Sequence, residues 1–242
     1  MSKLMRGLVI FSVLLAAVSA VSAQDLGGVV EEAHALLATK QVDRIEQAIE
    51  LLETSLDHSP EDAELLWSLA KAYLYLGDRS DDNRLALFET GKAYADRAVE
   101  AAPANPHCYY WQGALIGRIG QTKGILNSLF MVKPLQQAME KVLEIDDKYA
   151  DAYYVLSSLY DQAPGWPLSI GNRNKALEMI EIALKLDPDN PDYQVQLAKV
   201  LVSHKRSDEA LDVLMQAFAS PEMEIDEILR RDAEELLAEL KK

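Results

Sequence analysis

The residues that most often hold metal ions are few in this sequence and lie far apart. The chain contains four histidines: His34, His58, His107 and His204. None of them has an HxxE or HExxH partner on one helical face, the arrangement that offers two ligands to one metal ion. Cys108 is the single cysteine and is typical of a small core residue in an apolar helix, while pairing with a second chain stays open. The sequence predicts no metal site and no cofactor.

Glycine-rich and acidic segments do not supply catalytic machinery either. Four glycines recur at intervals of three or four residues: Gly113, Gly117, Gly120 and Gly124. No strand-like segment precedes them and no GK[ST] follows, so helix packing and a turn explain this spacing better than a phosphate loop. Adjacent acids such as Glu234 and Glu235 are typical of a solvated helix face, because an acid–base pair needs a cleft that separates the two pKa values. We therefore predict no catalytic residues and no enzymatic activity.

Aromatic residues at regular spacing favour a binding function. Trp67, Tyr110 and Tyr154 stand 43 and 44 residues apart. Rings at one level of successive structural units would form a column, and Trp and Tyr combine a large apolar area with a polar group. Other positions on the same face of the first helices hold three further candidates for contact with a ligand or partner: Lys71, His107 and Lys199. Two interpretations stay open, since the rings could line a groove or fill the space between units.

The regular spacing of the rings comes from an internal repeat of helix pairs. Apolar residues recur with helical periodicity beyond residue 25, interrupted by segments such as HSPEDA, AAPANP and LDPDNP that suit the end of one helix and the start of the next. The units begin at five positions: Val29, Ala63, Pro106, Ala150 and Pro191. Small residues recur at the eighth, twentieth and twenty-seventh positions, as closely crossing helices require. The pattern predicts an all-α, tetratricopeptide-like helical-pair solenoid of about five repeats.

The third unit contains the longest departure from the 34-residue register. Starts 43, 44 and 41 residues apart predict insertions of 9, 10 and 7 residues between the two helices of the middle units. After Gly120 the chain is expected to leave the register. The inserted stretch is rich in apolar side chains: Ile125, Leu126, Leu129, Phe130, Met131 and Val132. An exposed patch of this size needs a cover. We predict that Arg118, Lys123 and Lys133 hold an anionic head group while Phe130 and its neighbours take a tail. The alternative is that the segment folds back and the cations pair with local acids.

The last segment, residues 222–242, predicts a single amphipathic helix that caps the solenoid. Its apolar side chains are expected to cover the open end of the stack, which every solenoid must protect from water. The expected covering residues are Ile225, Ile228, Leu229, Ala233, Leu236, Leu237 and Leu240.

The N-terminal segment indicates where the protein acts, and its net charge limits which partners it can bind. Lys3 and Arg6 precede an apolar stretch and a VSA site, which predicts a signal peptide over residues 1–23, a mature solenoid over 24–242, and a periplasmic or secreted location. No cysteine follows the site for lipidation, and no stable membrane span is expected after cleavage. The net charge is −15, and removal of Lys3 and Arg6 leaves 22 basic against 39 acidic side chains, about −17. Such a chain excludes nucleic acid as a partner and is expected to avoid anionic lipid surfaces.

The middle of the chain resembles two known families. The segment YYWQGALIGRIGQTKGILNSLFMVKPL, residues 109–135, and the following MEKVLEIDDKYADAYYVLSSLYDQAPGWP resemble the periplasmic T-components of tripartite ATP-independent periplasmic (TRAP) transporters and, more weakly, the regulator of microtubule dynamics family. The resemblance covers roughly residues 60–240. The first family implies a non-enzymatic helper that contacts a substrate-binding protein and has a cavity for apolar ligands. The second implies a eukaryotic setting.

Three functions follow as hypotheses. The first is an exported protein-interaction module that assists a solute transporter's binding protein. The second is a carrier of a small amphipathic or apolar ligand in a helical cavity. The third is a structural adaptor in an envelope complex. Homo-oligomerisation is compatible with each of them.

Overall fold

The structure is a computed structural model that describes residues 23–241. Almost all of the predicted signal peptide, residues 1–23, lies outside the described residues, so cleavage before Gln24 stays a prediction. Twelve helices occupy the described range: α1 Ala23–Ala38, α2 Val42–Leu56, α3 Ala63–Arg79, α4 Arg84–Ala101, α5 Pro106–Lys123, α6 Ile125–Ile145, α7 Ala150–Gln162, α8 Arg173–Leu186, α9 Pro191–Ser203, α10 Ser207–Ala217, α11 Glu222–Ile225 and α12 Glu227–Leu240.

The first ten helices form five consecutive pairs. Each second helix packs against its own first helix and against the first helix of the next pair. Helices α1 and α3, α3 and α5, and α7 and α9 also contact each other, so the first helices form one layer of the stack. In a solenoid of this kind that layer lines the concave face. The predicted fold class, an all-α tetratricopeptide-like solenoid of about five repeats with a C-terminal cap, is confirmed.

Short polar side chains cap the starts of three of the first helices, α3, α5 and α9. Asp62 accepts hydrogen bonds from the backbone amides of Glu64 and Leu65 at the start of α3. Asn105 and Asn190 cap α5 and α9 in the same way, each followed by a proline in the first helical turn. Proline is tolerated there because the first amides of a helix have no intrahelical partner. The segments AAPANP and LDPDNP therefore end one helix and begin the next within a few residues.

Small residues stand where the two helices of a pair cross. At the eighth position Ala70, Gly113, Ser157 and Ala198 are all buried. A Cβ atom added to Gly113 would come within 3.0 Å of the Ala138 Cβ atom on α6, closer than the helices allow. The small residues therefore set the interhelical distance, as the repeat pattern predicts. Cys108 is fully buried in the same layer, where burial raises the pKa of its thiol to about 11.

The insertion of the third pair is helical, contrary to the expectation that the chain leaves the register after Gly120. Helix α5 continues to the residue before Gly124, and α6 begins immediately after it. Gly124 makes the turn with φ of 90°, a conformation that costs glycine no steric strain, and the Ser128 hydroxyl donates to the Gly120 carbonyl at 2.8 Å. In the second pair the connection is reduced to residues 80–83, and only the fourth pair has a long loop, residues 163–172.

The capping segment is two helices rather than the single helix predicted over 222–242. Asp226 adopts an extended conformation between α11 and α12, and its carboxylate accepts hydrogen bonds from the amides of Ile228 and Leu229. A residue that caps the second helix in this way cannot also continue the first. Leu229, Ala233 and Leu236 are buried in the same apolar cluster as α9 and α10, as predicted, whereas Ile225 points to solvent.

Candidate binding site on the concave face

The concave face begins with three packed rings from three successive first helices. The Trp67 ring lies 5.0 Å from the His34 ring and 4.9 Å from the His107 ring, with which it stacks. His34 is held by a 2.9 Å hydrogen bond between its Nε2 atom and the Ser68 hydroxyl. Trp67 is only 8% exposed, so its ring packs as part of the core. Of the two interpretations left open by the sequence, the space-filling one describes this ring.

The surroundings of the two histidines beside Trp67 favour their neutral forms. Burial, followed by the nearby charge of Lys71, lowers the pKa of His34 to about 4. The same two causes lower the pKa of His107. The His107 Nδ1 atom is 2.8 Å from the Tyr149 hydroxyl. A neutral imidazole suits this position because it can stack on indole and hydrogen bond at its edge without carrying a charge into the packed rings.

A second group of rings surrounds the amine of Lys71. The Nζ atom is 5.8 Å from the Tyr75 ring centroid and 5.7 Å from that of Trp111. Trp111 also packs edge-on against Tyr110, with centroids 4.9 Å apart. Burial is the main cause that lowers the pKa of Lys71 to about 8, and the charge of Lys40 adds to it. Among the described residues, no carboxylate forms an ion pair with this amine.

The far end of the concave face is acidic. Tyr154 stacks on Tyr193 at 5.5 Å between ring centroids, and the Tyr193 hydroxyl donates a 2.6 Å hydrogen bond to Asp151. Burial raises the pKa of Asp192 to about 6, despite the opposing charge of Lys40. Tyr110 and Tyr154 are half-buried, whereas Trp67 is almost fully buried. The α3–α5 part of the face is thus ring-lined and cationic and the α7–α9 part is acidic. The two parts are close, since the charge of Lys40 acts on both Lys71 and Asp192 and the charge of Asp151 acts on Lys71.

The two ends of the solenoid meet, which closes the concave face on one side. Asp226, at the start of the cap, pairs with Arg79 at 3.0 Å and with Lys40 at 3.7 Å. The Arg79 guanidinium also donates to the Lys40 carbonyl at 2.8 Å. A groove of about 1120 Å³ lies between the α1–α2 turn, the end of α3 and the cap helices. On the same cap, Lys199 pairs with Asp232 at 3.2 Å.

The ten residues predicted as candidates separate into two places. Trp67, Lys71, His107, Tyr110, Tyr154 and Lys199 belong to the first helices and their inner surface. Arg118 and Lys123, near the end of α5, pair with Asp78 and Glu89 of the preceding pair, as the alternative interpretation of the insertion expects. The two remaining candidates, Phe130 and Lys133, lie exposed on α6.

Several residues of the concave face were not singled out by the sequence. They are Lys40, Tyr75, Trp111, Tyr149, Asp192, Tyr193 and Asp226. Tyr75 could have been found because it stands four residues after Lys71, one helical turn along the same face. Asp226 could not, because its partners lie 147 and 186 residues earlier in the chain.

Within residues 23–241 the structure shows no cluster of three or more His, Cys, Asp or Glu side chains that could hold a metal ion. Over the same part of the chain, no helix combines the length and the apolar character needed to cross a membrane.

Comparison with known proteins identifies two sequence families in this chain. The family model of Regulator of microtubule dynamics protein 1-3 matches residues 29–160, and a tetratricopeptide repeat model matches residues 168–223. The resemblance to the regulator of microtubule dynamics family, the weaker of the two noted from the sequence, is thus the one that a family model supports. The resemblance to TRAP T-components stays a prediction.

Among curated proteins, regulator of microtubule dynamics protein 2 of Mus musculus is 27% identical over 111 residues, 45% of this chain and 27% of its own length. Regulator of microtubule dynamics protein 1 of Bos taurus is 27% identical over 53% of this chain and 40% of its own length. The protein CTR9 homolog of Arabidopsis thaliana is 29% identical over 66% of this chain and 13% of its own length. The chain therefore spans less than half of each of these relatives.

Solved structures share the fold at low sequence identity. The thermophilic tetratricopeptide protein TTC0263 of Thermus thermophilus has a TM-score of 0.69 at 21% identity, with 88% of this chain and 98% of that chain covered. MamA has a TM-score of 0.51 at 20% identity, with 75% and 91% covered. Both support the helical-pair solenoid and nothing beyond the fold.

Proposed function

The chain belongs to the regulator of microtubule dynamics protein 1-3 family, and on that premise we propose that it is a non-catalytic interaction module whose concave face binds a segment of a partner protein. Tetratricopeptide solenoids typically bind other proteins, and their concave faces offer an extended surface. The half-buried rings of Tyr110 and Tyr154 supply apolar contact area with a polar group at the edge, which suits a peptide.

The amine of Lys71 is the observation that carries this proposal. The amine lies near the rings of Tyr75 and Trp111, and burial lowers its pKa. No carboxylate among the described residues forms an ion pair with it. A carboxylate from a partner would raise the pKa of this amine again and form a charge-assisted hydrogen bond in a desolvated place. We therefore assign the α3–α5 end of the face to an acidic side chain or chain terminus of the bound segment.

The opposite end of the face fits a basic group. Asp151 and Asp192 lie on α7 and α9, and burial raises the pKa of Asp192 to about 6, so a further cation nearby would stabilise its charged form. A bound segment would therefore run with its acidic group toward Lys71 and its basic group toward Asp192. This polarity gives the face a direction as well as a composition.

The test is a selection of displayed random peptides on the purified chain. We expect the selected peptides to carry an acidic residue separated from a basic one, and Lys71→Gln to weaken their binding by at least about tenfold. Lys141→Gln is the matched control, because this lysine lies on α6 and pairs only with Glu144. Equal binding to both variants would contradict the assignment of Lys71.

A small amphipathic ligand is the second candidate. The contact of Asp226 with Arg79 and Lys40 partly encloses the ring-lined face. An enclosed apolar site suits a small molecule, because such a site buries most of the surface of its ligand. Native mass spectrometry of the freshly purified chain distinguishes the two candidates. An extra mass that is present at one copy per chain and is absent from the Lys71→Gln variant would favour the small ligand.

We also propose that the chain is exported and acts in the periplasm or outside the cell, where it assists a solute transporter's binding protein. The support is the n-region, the apolar stretch and the VSA site, together with the T-component-like segment at 109–135. Intact-mass measurement of the protein from its own cells should give Gln24 as the first residue. A chain that retains Met1 would contradict removal of the signal.

A further inference from the structure

Four large apolar side chains at one edge of the solenoid are almost fully exposed. Leu126 and Phe130, one turn apart on α6, are 74% and 78% exposed, and Trp166 and Leu168 in the loop 163–172 are 89% and 78% exposed. We call these four residues the apolar edge. The other exposed large apolar residues among those described are isolated and less open, at most 55% for Met215.

The two halves of the apolar edge belong to the same side of the molecule. In every helix pair the turn between the first and second helix lies on one edge of a solenoid, and here α6 begins just past that turn while the loop 163–172 is the turn of the next pair. Met131 and Val132, the residues after Phe130, pack in one apolar cluster with Ala163 and Ile170 of the loop. Both segments therefore border the same apolar cluster.

The apolar edge is also the part of the chain that lacks acidic residues. Residues 101–139 and 162–177 contain no Asp or Glu, although the chain has 39 acids. The two segments carry five cations: Arg118, Lys123, Lys133, Arg173 and Lys175. Lys133 and Arg173 are exposed and flank the edge, whereas Arg118 and Lys123 are already paired. A strongly acidic protein thus combines exposed rings with positive charge on one edge.

We propose that the apolar edge inserts into the head-group region of a lipid bilayer that contains anionic lipid. Trp and Phe favour that depth because one part of the ring is apolar while the surroundings are partly wet. Lys133 and Arg173 contact lipid phosphates beside the inserted rings. The four side chains protrude without a surrounding wall, so they lack the pocket and rim that a protein hot spot needs, whereas a bilayer adapts to a convex surface.

The net charge of −15 does not oppose this contact, although it led to the expectation that the chain avoids anionic lipids. Charges are screened over about 8 Å at physiological ionic strength, so the local charge of the inserted edge decides. The acidic remainder of the molecule is repelled by the same surface. Repulsion there and attraction at the edge select one orientation of the solenoid on the bilayer.

Trp166 reports on this contact directly. The chain has three tryptophans, and the other two, Trp67 and Trp111, are each only 8% exposed. Vesicles of phosphatidylcholine and phosphatidylglycerol with brominated acyl chains should quench the fluorescence of the full chain, and Trp166→Phe should remove the quenching. An N-terminal segment that anchors the chain by itself would leave Trp166 unquenched, which would overturn the proposal.

Matched variants separate the bilayer from other occupants. Leu126→Ser with Phe130→Ser should lower binding to these vesicles by at least about tenfold, with circular dichroism unchanged, while Met215→Ser on α10 should bind like the unmodified chain. Lys133→Glu with Arg173→Glu should remove the preference for phosphatidylglycerol over pure phosphatidylcholine. Equal vesicle binding by the Leu126→Ser, Phe130→Ser double variant and by Met215→Ser would overturn the proposal. So would a loss of self-association in the double serine variant without a change in vesicle binding, since a second copy of the chain would then be the occupant.

Discussion

The concave face and the apolar edge use the same residue types in opposite settings. On the concave face Trp67 is packed between two histidine rings and Lys71 is surrounded by aromatic side chains. On the apolar edge Trp166 stands in a loop at 89% exposure, and Lys133 is open to solvent. The comparison shows that a buried ring or cation changes the stability of the fold, Trp67 by raising it and Lys71 by lowering it, whereas an exposed one leaves it nearly unchanged. Substitutions at equivalent residue types should separate these two roles.

The largest difference is expected between the two tryptophans. Trp67→Ala leaves a cavity between α1, α3 and α5 and should lower the free energy of unfolding by about 3–5 kcal/mol. Trp166→Ala removes a side chain with few contacts and should change it by less than about 0.5 kcal/mol. Urea unfolding followed by circular dichroism measures both without depending on tryptophan fluorescence.

A similar loss in both variants would contradict the contrast, because it would mean that the loop 163–172 is also part of the stabilising core. Trp67→Phe serves as the intermediate control, since it keeps a ring against His34 and His107 and should cost less than Trp67→Ala. If Trp67→Ala stayed fully stable and lost only binding, the groove interpretation of this ring would replace the core one.

The sequence predicted the helix pairs and their order, but it did not predict how the stack of pairs curves. Small residues such as Gly113 and caps such as Asn105 act locally, so their positions along the chain determine where helices begin and cross. The contact between Asp226 and Arg79 depends on rotations added over five helix pairs, which no local pattern specifies.

The candidate site was predictable in part for the same reason. The spacing of Trp67, Tyr110 and Tyr154 placed them on successive inner helices, but their burial differs because different neighbours surround each ring. Trp67 has an imidazole on each side, whereas Tyr154 meets a single ring from the next helix. These neighbouring rings come from other repeats. The repeat pattern therefore predicts on which helix and at which level a ring lies, but it does not predict how exposed the ring is.

The second prediction compares the two lysines. The pKa of Lys71 lies at about 8 in the fold against 10.5 for an ordinary lysine. This difference corresponds to a cost of up to about 3 kcal/mol for the charged form, which we reduce to about 2 kcal/mol because the amine keeps some access to solvent. Lys71→Met should therefore raise the free energy of unfolding at pH 7 by about 1–2 kcal/mol, while Lys133→Met should leave it unchanged within about 0.5 kcal/mol.

The dependence on pH gives this prediction its sign. Between pH 8 and 10.5 the unfolded chain binds a proton at Lys71 that the folded chain has released, so stability relative to Lys71→Met should rise with pH over this window. Below pH 8 the difference between the two proteins should be constant. Chemical denaturation at several pH values measures it. A stability relative to Lys71→Met that stays constant from pH 8 to 10.5 and falls above pH 10.5 would show instead that an anion stabilises the charged amine.

The smallest effects should come from the ion pairs, and they extend the comparison to the closure of the solenoid. Asp226→Asn removes the charge that Arg79 and Lys40 share, but its amide oxygen can still accept the hydrogen bonds that start α12. The pair is mostly shielded, with side-chain exposures of 12% and 20% for Arg79 and Asp226, so we expect a loss of about 1 kcal/mol. Lys123→Gln breaks a more exposed pair with Glu89 and should cost less than about 0.5 kcal/mol.

Hydrogen exchange shows where each pair acts. In Asp226→Asn the amides of α11, α12 and the α1–α2 turn should exchange faster together, because the contact that joins the two ends of the solenoid has been weakened. In Lys123→Gln any change should stay at the ends of α4 and α5. Faster exchange at the cap alone would mean that Asp226 acts only as a helix cap, and the concave face would then be open at both ends.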